Sequence, residues 1–199
     1  MKTLPGRRYL LLATTIVFLP SAASYAQGSQ TVVMARIGNV IQNSLPGAAD
    51  YFVKKIAIGQ NDRAEIEAKW NFSPNASTLE FFYGENSYGQ LVGTVFFDWV
   101  DTRYGTIEVG TAFEPWGAVS NVVVAKATVK TEPWVEAVLR RGLVKNLIGL
   151  DGTSTLGALK NLNRNSMGPR NYFMTQAITT AVIRGIIYYD SLFQPHLPG

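Results

Sequence analysis

The residues whose types and spacing best suit ligand chemistry are Pro169-Arg170-Asn171-Tyr172-Phe173-Met174-Thr175, directly after Gly168. A Gly-Pro break ends the preceding segment there, and an apolar helical pattern begins. Proline suits a first helical turn, and Asn171 reads as the N-cap whose short polar side chain closes the helix start. N–H groups left over at a helix start carry partial positive charge, and Arg170 adds a full one. A phosphate could therefore rest on the N–H groups of Asn171 to Met174 with help from the Arg170 guanidinium. The same residues also describe the ordinary capped start of a core helix, so both readings stand at this point.

Other chemistries lack their residues. There is no cysteine, which removes disulfides, iron–sulfur clusters and thiolate haem attachment. His196, the lone histidine, lies in a Pro-rich tail, leaving no histidine-based nucleophile set and little for zinc or haem. Glu114 and Glu132 are the carboxylates best placed for acid/base work, but carboxylates beside proline in turns usually cap or face solvent. Redox chemistry would need an organic cofactor.

The first 26 residues read as a signal peptide. Lys2, Arg7 and Arg8 form a basic start, Tyr9 to Pro20 is apolar but too short to span a bilayer, and Ser24-Tyr25-Ala26 supplies small residues for cleavage before Gln27. Export to the periplasm by the general secretory route is expected, with Arg7-Arg8 keeping the twin-arginine route as the alternative. Three of the eighteen Lys and Arg leave with this leader while all fourteen Asp and Glu remain, so the mature chain carries fifteen basic against fourteen acidic residues, a net +1. That near-neutral balance gives no argument for nucleic acid. No stretch of the mature part is apolar for long enough to be a transmembrane helix, and residues 27–199 are long enough for a single domain.

The elements that must position the helix start follow in order. Thr31 to Ser44 carries Val32, Val33, Ile37, Val40 and Ile41, compatible with a strand or a short helix. Ala48 to Ile58, between Pro46-Gly47 and Gly59, reads as a helix with Ala48, Tyr51, Phe52 and Ile56 on its apolar side. Arg63 to Trp70 reads as another, capped by Asn61 or Asp62. From Thr78 the period changes to two. Thr78–Tyr83, Gly89–Val100, Tyr104–Phe113 and Ala118–Val129 are rich in Val, Phe, Tyr and Thr, and short turns join them into an antiparallel meander. A helix then opens at Pro133 and buries Val135, Val138, Leu139, Leu143, Leu147 and Ile148. Leu150 to Asn165 is a long Gly/Ser/Thr/Asn-rich connection of the kind that serves as a lid, insertion or binding loop. Met174, Ile178, Val182, Ile186, Tyr189 and Phe193 recur at three- and four-residue spacing as one face of a long last helix. The expected class is α+β: an antiparallel sheet of about four to five strands, with N-terminal helices and a long C-terminal helix packed on it.

Three pieces in this order resemble the FMN-binding domain family, the periplasmic flavin-carrying domains of the Rnf and sodium-pumping NADH:quinone reductase complexes. They are Tyr51-Phe52-Val53-Lys54-Lys55-Ile56-Ala57-Ile58-Gly59-Gln60; Gly89 to Ile107, similar to that family's G-x-x-V-G-Y-V-F…K-Y-G-x-I hairpin; and Lys130-Thr131-Glu132-Pro133, similar to its E-T-P loop, followed by Gln176-Ala177-Ile178-Thr179-Thr180-Ala181-Val182. The resemblance spans nearly the whole mature chain. It implies a flavin that relays electrons while the protein supplies position and electrostatics. In that family FMN is attached to the last Thr of D-x-x-S-G-A-T. Here Pro169-Arg170-Asn171-Tyr172 stands in place of Ser-Gly-Ala-Thr, and Tyr172 occupies the attachment position. Asp151 to Ala158 holds the right residue types in the wrong order. A covalent link is therefore not expected.

Set on this sequence, the resemblance implies a non-covalent FMN site of Glu132, Pro133, Trp134, Arg170, Asn171, Tyr172, Phe173 and Thr175. The flavin ring would lie against Trp134, Tyr172 or Phe173. The implied role is electron transfer with a periplasmic or membrane-bound redox partner. The alternative is a cofactor-free accessory or scaffold subunit, with Trp116 in its Glu-Pro-Trp-Gly turn as a partner anchor. A stand-alone enzyme is not implied.

Overall fold

The computed structural model describes residues 30–154 and 167–194. The leader, His196 and most of the long connection, including Arg164 to Ser166, lie outside the described residues. The chain is α+β. Strand β1 (Thr31–Val33) and helix α1 (Ile37–Ser44) are followed by β2 (Asp50–Ala57) and α2 (Gln60–Trp70). Then come β3 (Thr78–Glu85), β4 (Leu91–Thr102), β5 (Gly105–Phe113) and β6 (Val119–Thr128). Helix α3 (Glu132–Arg140) and the long α4 (Pro169–Tyr188), extended by a π-helical turn over Tyr189–Phe193, complete the described chain.

The sheet is antiparallel throughout, with six strands in the order β1-β6-β5-β4-β3-β2. Strands β3 to β6 form the expected meander, β2 is added beside β3, and β1 joins the far edge beside β6, where Thr31 stands opposite Thr128. The Val/Phe/Thr-rich strands alternate, so neighbouring residues serve opposite faces. Phe81, Phe96, Ile107, Val109 and Phe113 meet Met174, Ile178, Val182 and Ile186 of α4 in the main core. Val95 and Ala112 point the other way, to Leu45 at the end of α1, with Ile41, Phe82 and Phe97 packed around them. Full burial of each large apolar side chain stabilises the fold by roughly 1.5–3 kcal/mol, and α4 supplies the largest share of partners. The sheet is therefore a middle layer, with α4 across one face and α1 across part of the other.

Ala48 to Ile58 is not a helix. Asp50–Ala57 is a strand paired with β3 from Asp50↔Glu85 to Ala57↔Thr78. Tyr51, Phe52, Val53 and Ile56 are aromatic or β-branched, and pairing with β3 overrides a spacing that also fits a helical stripe. Thr31 to Ser44 holds both of its alternatives, β1 and then α1. Helix α2 starts at Gln60, where Asp62 accepts a hydrogen bond from the Gly59 N–H at 2.8 Å, so Asp62 closes the start from inside the first turn. Helix α3 stops at Arg140 before the positive-φ Gly142, and the chain turns through a 3-10 turn at Lys145–Leu147. Leu147 is buried as expected, but Ile148 is exposed because the helical face does not continue to it.

Two contacts fix α4 on the sheet. Arg184 Nε approaches Asp98 Oδ2 to 2.7 Å, and Arg184 Nη2 donates to the Trp99 carbonyl at 3.1 Å. At the other end of the sheet, Tyr189 stacks on Phe113 at 4.9 Å, and its hydroxyl donates to the Pro115 carbonyl at 2.9 Å. The β4–β5 turn is closed by Thr102, whose hydroxyl donates to the Gly105 carbonyl at 2.7 Å and accepts the Tyr104 N–H. Gly105 has φ +135°, and a Cβ there would meet Thr128 Oγ1 at 2.1 Å. Only glycine lets this turn press against the end of β6.

Candidate functional site

Helix α4 begins one turn earlier than Asn171 would place it. Gly168, with φ 74° and ψ 157°, is the N-cap, Pro169 is the first helical residue, and the Tyr172 N–H makes the first helical bond, to the Gly168 carbonyl at 3.0 Å. A backbone of positive φ and extended ψ is open essentially to glycine alone, and proline fixes the next φ in helical range. These two residues, rather than the asparagine, therefore set the start. Asn171 instead points back, donating from Nδ2 to the Met167 carbonyl at 3.2 Å, and Arg141 Nη1 reaches the same oxygen at 3.5 Å. No side chain caps the start. The N–H groups of the first turn that precede the first helical bond belong to Arg170 and Asn171, so the open end of the helix sits a turn before the Asn171 to Met174 expected for an anion.

Two adjoining cavities open along the first half of α4, and Tyr104 of the β4–β5 turn lines both. One, of about 350 Å³, is bounded by Trp134, Met167 to Asn171 and Tyr104. The other, of about 430 Å³, has Val100, Phe173, Met174 and Ala177 as apolar wall and Asp101, Thr102, Arg103, Gln176 and Thr180 as polar rim. Each carries one guanidinium laid on an aromatic ring. Arg170 Cζ lies 4.3 Å from the centre of Trp134, and Arg103 Cζ lies 3.8 Å from Phe173 and 5.1 Å from Tyr104. Such contacts are worth about 0.5–1 kcal/mol at exposed sites. A guanidinium held over a ring keeps N–H donors that an acceptor can reach. Among the described residues neither arginine forms an ion pair with a carboxylate.

The expected site residues divide accordingly. Trp134, Arg170 and Asn171 come together in the smaller cavity, and Phe173 lines the larger. Tyr172 is half-buried and meets Phe173 edge-on at 5.6 Å, outside both linings. Glu132 and Pro133 open α3 beside Trp134 without lining either cavity. Thr175 is fully buried under α4, as is Thr179, and neither hydroxyl has a hydrogen-bond partner among the described residues. Thr175 therefore belongs to the helix–sheet core and not to the groove.

Arg103, Tyr104 and Arg141 were not among the expected site residues, though Arg103 and Tyr104 lie in the hairpin read from Gly89 to Ile107. The signal was present in the strand count. In a meander the β4–β5 turn and the end of β6 fall at the same end of the strands, so Arg103 had to arrive beside the opening of α3. Thr131 Oγ1, 3.5 Å from the Thr106 carbonyl, marks that junction.

Asp151 forms a turn of its own. Its Oδ1 accepts hydrogen bonds from the Thr153 hydroxyl and N–H and from both groups of Ser154, which hold its carboxyl down at about 2. On β4, facing Arg184 of α4, burial pushes the Asp98 carboxyl up to about 6 although Arg184 opposes the shift. Among the described residues no cluster of His, Cys, Asp and Glu could hold a metal, and no helix is long and apolar enough to cross a membrane. No family model matches the chain, and neither a curated protein nor a solved structure is found to match it.

Proposed function

We propose that the groove along the first half of α4 binds FMN without a covalent bond, and that the protein is an exported electron carrier. The observation that carries this reading is the pair of ring-stacked guanidiniums, Arg170 on Trp134 and Arg103 on Phe173, in two cavities that meet at Tyr104. A flavin mononucleotide needs an anion acceptor and an apolar slot with hydrogen-bonding groups at its edge. The residues present fit both demands in kind. Arg170 and the N–H groups of Arg170 and Asn171 suit the phosphate. Phe173, Met174, Ala177 and Val100 suit a flat ring, with Gln176 and Thr180 available to its polar edge. When bound, the flavin supplies the electron chemistry, and the chain's part is to bind, orient and screen it. The resemblance of Gly89 to Ile107 and of Lys130 to Pro133 to the FMN-binding family supports the same reading, as does the signal-like leader.

Purified protein should carry a visible flavin spectrum or acquire one on titration with FMN, and acid precipitation should release the flavin into the supernatant. A colourless protein that also fails to bind added FMN overturns the reading. Flavin that stays with the precipitate overturns its non-covalent part. The amino terminus of exported protein should be Gln27.

One observation favours an accessory role beside this one. Trp116 is 69% exposed at the tip of the β5–β6 turn. An exposed turn-borne tryptophan suits a partner anchor. Trp116→Ala should then abolish capture of a partner from a periplasmic extract while leaving FMN binding unchanged.

A further inference from the structure

The sheet ends at β2, and nothing among the described residues pairs with its outer edge. The strand is eight residues long, Asp50–Ala57, and it exposes three consecutive large apolar residues. Tyr51 is 43% exposed, Phe52 41% and Val53 51%. A long apolar edge with open backbone groups is a template for another strand. The direction of those groups follows from the ladder. Ile58 N–H donates to the Ser77 carbonyl at 2.9 Å, and hydrogen-bonded pairs alternate along an antiparallel ladder. Ile56, Lys54 and Phe52 therefore bond inward to β3, while Val53, Tyr51 and Lys55 turn their N–H and C=O groups outward.

We propose that this edge is the interface of a two-fold dimer, with β2 pairing antiparallel to β2 of a second copy and joining the two sheets into one. The register is set by charge and by the outward-facing groups. A two-fold axis normal to the sheet pairs residues of the same face. With the axis at Phe52, Tyr51 of each copy exchanges both backbone bonds with Val53 of the other, which uses the groups that already point outward. Phe52 then stands opposite Phe52, and Asp50 opposite Lys54, in closely spaced non-bonded pairs. Phe52 already lies flat on Tyr83 at 5.2 Å, so the aromatic layer continues across the axis. Moving the axis to Lys54 would set lysine against lysine, and moving it to Val53 would lose the Asp50–Lys54 pairing. A second copy of this chain thus complements the edge in hydrogen bonds, aromatic surface and charge.

Light scattering on the purified protein should report a dimer. The chain has no cysteine of its own, so Phe52→Cys should give a single disulfide-linked dimer on mild oxidation, because a non-bonded pair brings Cα atoms within disulfide reach. Val53→Pro removes an outward N–H without breaking a β2–β3 bond, and it should yield a monomer with an unchanged circular dichroism spectrum. Lys54→Asp alone should weaken the dimer about five-fold or more, and adding Asp50→Lys should restore it. A monomer at all concentrations overturns the proposal. Cross-linking through Val53→Cys but not Phe52→Cys overturns the register. A dimer that survives Val53→Pro overturns the assignment to this edge.

Discussion

Arg103 Cζ lies 3.8 Å from the ring centre of Phe173, which joins the β4–β5 turn to the second turn of α4. Two segments far apart in sequence thus present one cation and one flat apolar surface to the same cavity. Replacing either guanidinium of the groove should weaken FMN binding about 10- to 100-fold, since a charge-assisted hydrogen bond contributes roughly 1.5–3 kcal/mol. Titration of Arg103→Ala and Arg170→Ala would measure it. Both variants should keep their thermal stability within about 1 kcal/mol of the parent, because each contributes only a surface cation–π contact to the fold. Affinity unchanged in both would remove the arginines from the site.

Asp98 should make stability depend on acidity in an uncommon direction. Burial raises its carboxyl from 3.8 to about 6. Between those values the folded protein holds a proton that the unfolded chain has released, so stability falls as pH rises from about 4 to about 6. The difference is on the order of 2–3 kcal/mol. Asp98→Asn is neutral throughout and should lose this slope in urea midpoints measured across that range. A slope that persists would place the titration on another group.

Gly168→Ala should destabilise the protein by about 1–3 kcal/mol, the cost of a side chain at φ 74° and ψ 157°. Among the described residues no atom beyond the adjoining chain lies within 4 Å of the added Cβ, so the penalty is one of backbone conformation and not of crowding. The helix start should shift with it, and FMN affinity should fall together with stability. Thermal melting and ligand titration on one variant would test both.

Tyr189→Phe should cost about 1 kcal/mol in chemical denaturation. The ring remains stacked between Phe113 and Phe193, but the hydrogen bonds to the Pro115 and Glu114 carbonyls are lost. Burial pushes the native phenol up to about 12, so alkaline titration should leave this tyrosine un-ionised while exposed ones titrate. Its ionising with the exposed tyrosines would mean the ring is not held as described.

Much of the architecture was legible because it is local. Period-two alternation and short turns between Thr78 and Val129 led directly to four sheet strands, and the spacing of Met174, Ile178, Val182 and Ile186 led to the long helix. What escaped is what tertiary pairing decides. Tyr51, Phe52 and Ile56 satisfy a helical stripe and a half-exposed strand equally, and only β3 alongside chooses between them. Asn171 has the chemistry of a cap, but Gly168 has the backbone for it. In the groove, Arg170 carries the local mark of a helix start, whereas Trp134 was expected only from the family resemblance. Arg103 carried no comparable local mark, since its place beside Phe173 is fixed by the fold of the meander.

The pairing of Thr31 with Thr128 has a consequence for the order in which the molecule assembles. Strands β2 to β6 close with their immediate neighbours, and such contacts form early because little chain entropy is lost in making them. Strand β1 is the first of the described strands to be synthesised, yet the strand it pairs with among the described residues is the last of the sheet. It must wait unpaired until β6 has emerged. The earliest of the described strands to be made is then the last of them to be laid down, and its docking closes the sheet on the side away from β2.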